Sequence, residues 1–398
     1  MNYCNAKRVF RAFLHTQLCS FVWELLWEGM GIFRRKPRPS LGFGWGSSRG
    51  LAAALAVTGC FFTGLPVSAQ KTPTQPELSL PIRCQPGRDC WLVNRVDIDP
   101  GPGIRDYMCS NRSYDGHKGV DLAIRDLVAM KKGVPVVASV GGIVKAARDG
   151  MKDIDVTIAG MSSVKGRECG NGIVVSHPGG WETQYCHLRQ GSITVKAGDT
   201  ITRGQALGLV GISGRAQFPH VHLSVRKGKT VIDPFIGLIG PGGRTKACGP
   251  GPAPLWRAKA IKALSRNMTA LFNAGFATGA PKPRVARSGL LAATRMPRTI
   301  PALVLWVDMY WPEAGDQLRF RISGPDGRPF ARRTVTIAKS QARRISFYGK
   351  KRKGRPWPAG IYRGEVILSR KKGAKGQQGQ KETGGALRLT VTREIELR

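Results

Sequence analysis

The stretch Pro219-His-Val-His-Leu-Ser-Val225 decides the fold of the segment around it. Its apolar residues alternate with polar ones, which is the two-residue period of a β-strand. Side chains two positions apart on a strand point to the same face, and their Cα atoms lie about 6.6 Å apart at roughly 3.3 Å per residue. The sequence therefore predicts a strand that presents the imidazoles of His220 and His222 side by side.

Two further histidine motifs precede this strand. The first, His117-Lys-Gly-Val-Asp121, places an imidazole and a carboxylate four residues apart. The second, Tyr185-Cys-His187, ends a strand-like segment that a Pro-Gly-Gly turn pairs with residues 172–177. We interpret His177, just before that turn, as an exposed residue of the hairpin. Imidazole and carboxylate are the usual ligands of a catalytic zinc, which takes three protein ligands and leaves one position open.

In this order, the motifs resemble those of the lysostaphin/LytM-type zinc metallopeptidases, which cut the peptide part of peptidoglycan. The resemblance covers roughly residues 84–238 and includes Cys169-Gly-Asn-Gly-Ile173 between the histidine motifs. It implies a β-sheet fold, the duplicated hybrid motif, with one zinc ion in a groove over the sheet. Cys186 departs from the family, which commonly has a small residue such as alanine at this position.

We predict that one Zn²⁺ is bound by His117, Asp121 and His222. We expect His187 and His220 to be the catalytic residues on the open side of the metal. One acts as general base or orients the attacking water, and the other stabilises the oxyanion or protonates the leaving amine. The sequence leaves open which histidine takes which role.

Two alternative functions come from other classes. The chain could be a non-catalytic LytM-type regulator of cell-wall amidases, or an envelope protein whose function is to bind an acidic polymer. All five metal and catalytic positions are filled, which favours an enzyme that hydrolyses peptide bonds of peptidoglycan.

The composition of this 398-residue chain is strongly basic. It has 63 Lys and Arg against 25 Asp and Glu, a formal net charge of +38. Such a charge suits a nucleic acid. However, the sequence has no recognition-helix, zinc-finger or aromatic RNA-binding pattern, so we expect no specific nucleic-acid partner. Peptidoglycan and other anionic envelope polymers are acidic partners of the kind that the charge favours. The oligomeric state does not follow from the sequence.

Residues 1–69 are typical of an export signal. Basic residues at 34–38 precede an apolar stretch, and Val67-Ser-Ala69 fits a small-residue cleavage site. The 30 or so residues before the basic region are unusual in a signal, and Met30 would give a more ordinary start. We therefore predict export to the periplasm or cell envelope. Lipidation of Cys60, which ends a lipoprotein-like Val-Thr-Gly-Cys, is the alternative.

Six cysteines follow the predicted cleavage site, namely Cys84, Cys90, Cys109, Cys169, Cys186 and Cys248. An even number in an exported chain favours disulfides, and six cysteines allow fifteen pairings. Cys84 and Cys90 flank a turn-like loop, so we expect them to pair. Cys169 and Cys186 share a hairpin, but they are not level in the expected register, so a bridge between them would need a bulge.

The chain divides into five segments by composition and pattern. Residues 1–69 are the signal, with a possible upstream extension. The others are a leader at 70–83, an all-β zinc peptidase at 84–238, a linker and short helix at 239–275, and an accessory β domain at 276–398.

Turn-separated strand candidates in the last segment predict an immunoglobulin-like β-sandwich; they are 302–309, 317–322, 333–337, 344–347, 360–368 and 386–391. Basic runs at 350–353 and 370–372 are typical of solvated loops. We expect this domain to help hold the enzyme on an acidic surface and not to build the active site.

Overall fold

The computed structural model describes residues 75–238, 248–265, 268–371 and 386–398. Within these ranges the chain is mostly β, with short helices between strands, which confirms the predicted fold class. The predicted export signal, Met30 and Cys60 lie outside the described residues. In the described part, no helix has the length and apolar character needed to cross a membrane.

Ten strands build the first part of the chain: β1 (Cys90–Asn94), β2 (Val120–Ile124), β3 (Pro135–Val137), β4 (Gly142–Arg148), β5 (Asn171–His177), β6 (Trp181–Leu188), β7 (Thr200–Ile201), β8 (Ala206–Leu209), β9 (His220–Lys227) and β10 (Thr230–Val231). The helices are α1 (Leu127–Lys132) and α2 (Val156–Ala159). Asp126 begins α1, where its side chain accepts a hydrogen bond from the backbone N–H of Ala129 at 2.9 Å.

The main sheet of this part has the order β1-β2-β9-β6-β5-β4-β7, with β10 paired to β9, while β3 and β8 form a two-stranded sheet. All pairings in the main sheet are antiparallel. This order brings β2, β9 and β6 together, although they are far apart in sequence. These are the strands that carry Asp121, His220, His222 and His187.

The interpretation of His177 as an exposed residue is wrong. His177 is buried on β5, where its Nδ1 donates to the carbonyl oxygen of Gly141 at 2.8 Å and its Nε2 lies 3.0 Å from Thr183 Oγ1. Burial lowers the pKa of this imidazole. The side chain is therefore a hydrogen-bonded residue of the fold, placed inside by strand alternation.

Eight strands build the second part: β11 (Ala270–Ala277), β12 (Arg295–Met296), β13 (Ala302–Tyr310), β14 (Gln317–Ser323), β15 (Pro329–Thr336), β16 (Arg343–Lys351), β17 (Gly360–Arg370) and β18 (Leu387–Leu397). The helices α3 (Ala258–Leu264) and α4 (Pro283–Arg287) precede and interrupt them. All six strand candidates are confirmed. The sequence did not predict β11, which begins inside the expected linker segment.

Two sheets, β11-β13-β16 and β12-β18-β17-β14-β15, share one apolar core. Phe276 and Leu305 of the first sheet and Phe320 and Val366 of the second are buried in it. The arrangement is a β-sandwich by its packing. Its immunoglobulin-like class and the domain boundaries stay predictions.

The end of the first sheet of the sandwich packs into the core of the peptidase segment. Phe272, Tyr310 and Trp311 belong to the same apolar cluster as the peptidase strands. Trp311 Nε1 donates to the carbonyl oxygen of Val93 at 2.5 Å. The aromatic rings of Phe272 and Trp91 lie 5.6 Å apart. The two parts of the chain are therefore joined by buried contacts rather than by the linker alone.

One basic run of the sandwich is less exposed than predicted. Arg370 is buried at the end of β17, where its guanidinium forms ion pairs of 2.7 Å with Asp316 and 2.7 Å with Glu313. The prediction of a solvated loop is wrong at this position, because the charge is paired with the buried Asp316 and the partly buried Glu313. Lys350 and Lys351, which were also assigned to a loop, are the last residues of β16.

The six cysteines form three disulfides. The expected Cys84–Cys90 bridge is confirmed. Cys169 and Cys186 are also joined, with Cα atoms 4.8 Å apart, and the register of β5 against β6 shifts between Asn171 and Ile173. The predicted bulge therefore accompanies this bridge. The remaining pair, Cys109–Cys248, spans 139 positions and had no predicted partner assignment.

Candidate active site

Three side-chain atoms converge above the main sheet. His117 Nε2 lies 3.2 Å from Asp121 Oδ1 and 3.1 Å from His222 Nδ1, and Asp121 Oδ1 lies 2.8 Å from His222 Nδ1. These residues are the three predicted metal ligands. The only other comparable group in the described ranges is Cys84, Asp89 and Cys90, whose two cysteines are joined in a disulfide and offer no thiolate.

The backbone explains this convergence. Asp121 on β2 is the register partner of His222 on β9, and directly opposite residues on antiparallel strands place their side chains on one face. Gly119 lets β2 approach closely, because a Cβ atom there would lie 2.5 Å from His222 Nε2 and 2.5 Å from the Leu223 carbonyl oxygen. Close approach, rather than backbone freedom alone, is therefore the reason for glycine at this position.

Two further residues hold the ligand atoms in place. Since a carbonyl oxygen can only accept, His117 Nδ1 donates to the backbone oxygen of Arg95 at 2.7 Å. In the neutral ring this leaves the lone pair on Nε2, which faces Asp121 Oδ1. Asn94 Nδ2 donates to the other carboxylate oxygen, Asp121 Oδ2, at 2.7 Å. Such outer hydrogen bonds orient metal ligands. Sequence reasoning missed Asn94 and Arg95, since neither belongs to a motif.

The charges at this cluster favour a cation. Burial acts to raise the pKa of the Asp121 carboxyl, but His117 and His220 beside it hold that pKa well below its usual range. Burial likewise acts to lower the pKa of His117, and the neighbouring Asp121 raises it overall. The carboxylate is therefore ionised and buried among imidazoles.

The donor set fits zinc. Zinc–ligand bonds of about 2.0–2.2 Å in a tetrahedral site put the ligand atoms about 3.3 Å apart. The separations of 2.8 to 3.2 Å between the three atoms are slightly shorter than this. Two imidazole nitrogens and one carboxylate oxygen are a common ligand set of catalytic zinc. A small adjustment of side-chain torsions would accommodate the ion.

The two predicted catalytic histidines lie beside this cluster. The rings of His187 and His220 are 4.6 Å apart, and His220 Nε2 is 3.8 Å from Asp121 Oδ1. Each ring donates from Nδ1 to a backbone carbonyl oxygen at 2.8 Å, His187 to Ser213 and His220 to Phe218. In the neutral rings, both lone pairs are therefore on Nε2.

Burial lowers the pKa of both imidazoles. For His187 the lowering is large, because the neighbouring His220 and His222 add to the effect of burial. For His220, Asp121 partly opposes the effect. Both rings therefore stay neutral at a pH where an exposed histidine would begin to protonate, and a neutral imidazole can accept a proton.

His187 has an uncommon backbone conformation, with φ at +64°. For a residue other than glycine, a positive φ costs on the order of 1–3 kcal/mol, and this conformation persists only where the surrounding structure enforces it. Here its N–H donates to the Cys169 carbonyl oxygen at 2.8 Å and its carbonyl oxygen accepts from Gly211 at 3.0 Å. The Cys169–Cys186 bridge lies immediately before it. These bonds fix the direction of the imidazole.

A cavity of about 580 Å³ opens beside the cluster, with Asp121 and His220 in its wall. The sandwich contributes Arg287, Tyr310 and Arg343 to the lining of the same cavity. The expectation that the C-terminal domain takes no part in building the active site is therefore wrong. The sandwich lines the cavity because β13 and β16 pack against the peptidase core. Sequence patterns do not reveal such packing.

Part of the chain is similar to known peptidases. A sequence model of peptidase family M23 matches residues 115–234. Over 106 residues, the chain is 33% identical to the peptidoglycan DD-endopeptidase ShyA of Vibrio cholerae, covering 27% of this chain and 19% of ShyA. Over 120 residues, it is 29% identical to the DD-carboxypeptidase/endopeptidase Mpg of Neisseria meningitidis, covering 30% of this chain and 22% of Mpg.

Among solved structures, the catalytic domain of the prophage-encoded M23 protein EnpA from Enterococcus faecalis is 22% identical, with a TM-score of 0.27, and the match covers 40% of this chain and 93% of that one. The chain spans only about a fifth of the length of ShyA and Mpg. The segment that the family model matches contains all five predicted site residues. This match confirms the resemblance drawn from the histidine motifs. Residues 115–234 therefore resemble a peptidase family M23 domain.

Proposed function

We propose that this protein is an exported, zinc-dependent endopeptidase that hydrolyses peptide bonds of peptidoglycan. The observation that carries the proposal is the convergence of His117 Nε2, Asp121 Oδ1 and His222 Nδ1 within 3.2 Å of one another. Two more imidazoles with fixed Nδ1 donors lie beside them. The match of the same segment to a peptidase family supports hydrolysis of an amide.

In this proposal, His117, Asp121 and His222 hold one Zn²⁺. When bound, zinc supplies Lewis acidity that polarises the scissile carbonyl and makes water a better nucleophile. His187 and His220 work through Nε2, which accepts a proton from the attacking water or, once protonated, donates to the leaving amine. Asn94 and the Arg95 carbonyl oxygen keep the ligands oriented.

The substrate class rests on the relatives and on charge. ShyA and Mpg are named for DD-peptide bonds, so peptides of D-residues are the first substrates to test. The net charge of +38 favours an acidic polymer. The peptidase domain at 84–238, the accessory domain at 276–398 and localisation in the periplasm or envelope complete the proposal.

The test is metal content and activity of the same purified full chain. We expect about one zinc per chain by elemental mass spectrometry, release of soluble muropeptides from sacculi, loss of release after chelation, and recovery with added Zn²⁺. The double variant His187→Ala/His220→Ala is the control for metal binding without catalysis. Zinc-loaded protein that releases no muropeptides but stimulates a cell-wall amidase would favour the regulator alternative and refute an endopeptidase.

A further inference from the structure

Two register partners of the sandwich line the cavity beside the metal cluster. Tyr310 at the end of β13 lies directly opposite Arg343 at the start of β16, so their side chains lie on one face of the sheet. Both line the same cavity as Asp121 and His220. The ring of Phe218 lies 4.8 Å from that of His220 and 6.1 Å from that of Tyr310.

The guanidinium of Arg343 is held firmly. Its Nε and Nη2 bond to the same oxygen of Asp308, Oδ2, at 3.1 and 2.8 Å. Its Cζ lies 4.8 to 5.3 Å from the ring centroids of Phe218, Phe272 and Tyr310. The planar group is therefore fixed by an ion pair on one edge and by aromatic rings around it.

Two polar atoms of this pair have no partner among the residues that the structure describes. Arg343 Nη1 and the Tyr310 hydroxyl are both buried, and neither makes a hydrogen bond within the described ranges. A buried donor without a partner is unfavourable, because it has lost its hydrogen bonds to water. Burial raises the pKa of Tyr310 to about 12, so its hydroxyl keeps the proton and can donate. Two residues that line the cavity therefore each carry a donor without a hydrogen-bond partner in the described ranges.

The charged groups around these donors are balanced in number. The cavity is lined by three arginines, Arg215, Arg287 and Arg343, and Asp121 is the one carboxylate that lines it in the described part of the chain. Asp308 forms ion pairs with both Arg287 and Arg343. The negative charge of Asp155 also helps to raise the pKa of Arg343. Together with Asp121, these two carboxylates equal the three arginines in number, so a bound metal ion would make the surroundings of the cavity net positive.

We propose that Arg343 and Tyr310 form a carboxylate-binding subsite, which makes the sandwich a specificity-determining part of the peptidase. This deepens the proposed function and rests on it for the identity of the substrate. The ring of Phe218 lies 4.8 Å from that of His220 and 6.1 Å from that of Tyr310, so at about 3.3 Å per extended residue the two outer rings are separated by at most about three residues. The ligand is therefore a peptide carboxylate about that far from the bond at the metal cluster. Arg343 Nη1 and the Tyr310 hydroxyl donate to its oxygens after a small movement of their side chains.

The test uses acetylated oligomers of D-alanine, two to four residues long, each with a free C-terminal carboxylate or with a carboxamide. Their binding is measured by titration calorimetry to the zinc-loaded full chain carrying His187→Ala. This change slows turnover and leaves the residues that line the cavity intact. A charge-assisted hydrogen bond is worth about 1.5–3 kcal/mol, so we expect the carboxylate form to bind roughly 10- to 100-fold tighter at the best length.

The decisive variant is Tyr310→Phe in the same background. It removes only a hydroxyl that lacks a partner in the described structure, so the melting temperature and zinc content should not fall, while the preference for the carboxylate should drop several-fold. Arg343→Lys keeps a charge but loses the fork, and should also reduce the preference. Tyr362→Phe is the matched control, because its hydroxyl bonds to the Pro358 carbonyl oxygen within the sandwich; it should leave the preference intact.

Equal binding of the two forms by the His187→Ala protein, no binding of either form, or an unchanged preference in Tyr310→Phe would each overturn the subsite. Cleavage of the same peptides by the wild-type chain is scored separately. Absence of cleavage with a preserved carboxylate preference would count against the endopeptidase and in favour of the subsite.

Discussion

Asp121 and His222 face each other across β2 and β9 as register partners, and Asp121 Oδ1 lies 2.8 Å from His222 Nδ1. The two residues are 101 positions apart in sequence. Because a shift of one residue would turn a side chain to the opposite face of the sheet, this pairing sets the site. The long loop that ends at His117 then needs to deliver only one more ligand.

The first prediction is that His222→Ala binds little zinc. Zinc held by three protein ligands depends on each of them, and the remaining pair, His117 and Asp121, offers one nitrogen and one oxygen. Elemental mass spectrometry after dialysis should fall from about one zinc per chain to a small fraction of that. Full occupancy in the folded variant would mean that the ligands have been assigned wrongly.

The second prediction is that His187→Ala and His220→Ala keep zinc but lose activity by on the order of 10²–10⁴-fold, as expected for a general acid or base. Burial lowers the pKa of both imidazoles. The neutral form therefore persists below the ordinary histidine pKa, and kcat/KM should fall only when the pH drops below about 6.5. Wild-type turnover by either variant would remove that histidine from the mechanism.

The sequence was sufficient to select the three predicted ligands, whose side chains lie together. Each lies in a motif of fixed spacing, and strand alternation determines the faces of His220 and His222. It was insufficient for Asn94, Ser213 and Arg95, whose contributions to the site depend on where distant segments cross; two of these three contribute only a backbone oxygen. A carbonyl oxygen has no sequence identity, so no pattern could have predicted those bonds.

The sandwich illustrates a second limit. Alternation correctly predicted six of its eight strands in the described part of the chain, including β13 and β16. The two-residue period of apolar side chains and the turn residues, however, predict which face of a strand is apolar. They do not predict what that face packs against. Nothing in the sequence therefore indicated that Tyr310 and Arg343 have a role beyond their strands, although both line the same cavity as His220.

The third prediction concerns Gly119. An alanine Cβ there would lie 2.5 Å from His222 Nε2 and 2.5 Å from a backbone oxygen, so β2 and β9 would have to separate at the ligand pair. We expect Gly119→Ala to lose zinc affinity and to destabilise the fold by about 1–3 kcal/mol, a typical cost of overpacking. Gly279→Ala is the matched control, since nothing lies within 4 Å of its added Cβ. Equal zinc affinity and denaturant midpoints for the two variants would refute the close-approach argument.

The fourth prediction concerns the disulfides and export. Material isolated from its native compartment should begin at Gln70 and contain no thiol that alkylation can label. The Cys109–Cys248 bridge joins residues 139 positions apart, and the Cys84–Cys90 bridge joins residues six apart. In the chain-entropy description, replacing the first pair with serines should therefore cost roughly 3 kcal/mol more than replacing the second. Labelled thiols, another N-terminus, or an equal cost for both pairs would each contradict one part of this prediction.

The last prediction reverses the expectation that the peptidase segment works without the sandwich. A fragment that ends at residue 254 lacks Phe272, Tyr310 and Trp311, which lie in the same apolar core as the peptidase strands. It also lacks the Trp311 hydrogen bond to Val93, and β1 carries both Val93 and the Asn94 that holds Asp121. Uncovering this apolar surface costs about 25 cal/mol per Å².

The fragment should therefore melt well below the full chain, bind an apolar dye, and cleave a soluble D,D-peptide at less than a tenth of the full-chain rate. Trp311→Phe in the full chain isolates one contact. It keeps most of the ring in the core but removes the donor to Val93, and it should cost about 1 kcal/mol with a smaller loss of activity. A fragment that is folded, zinc-loaded and as active as the full chain would show that the sandwich is dispensable for catalysis.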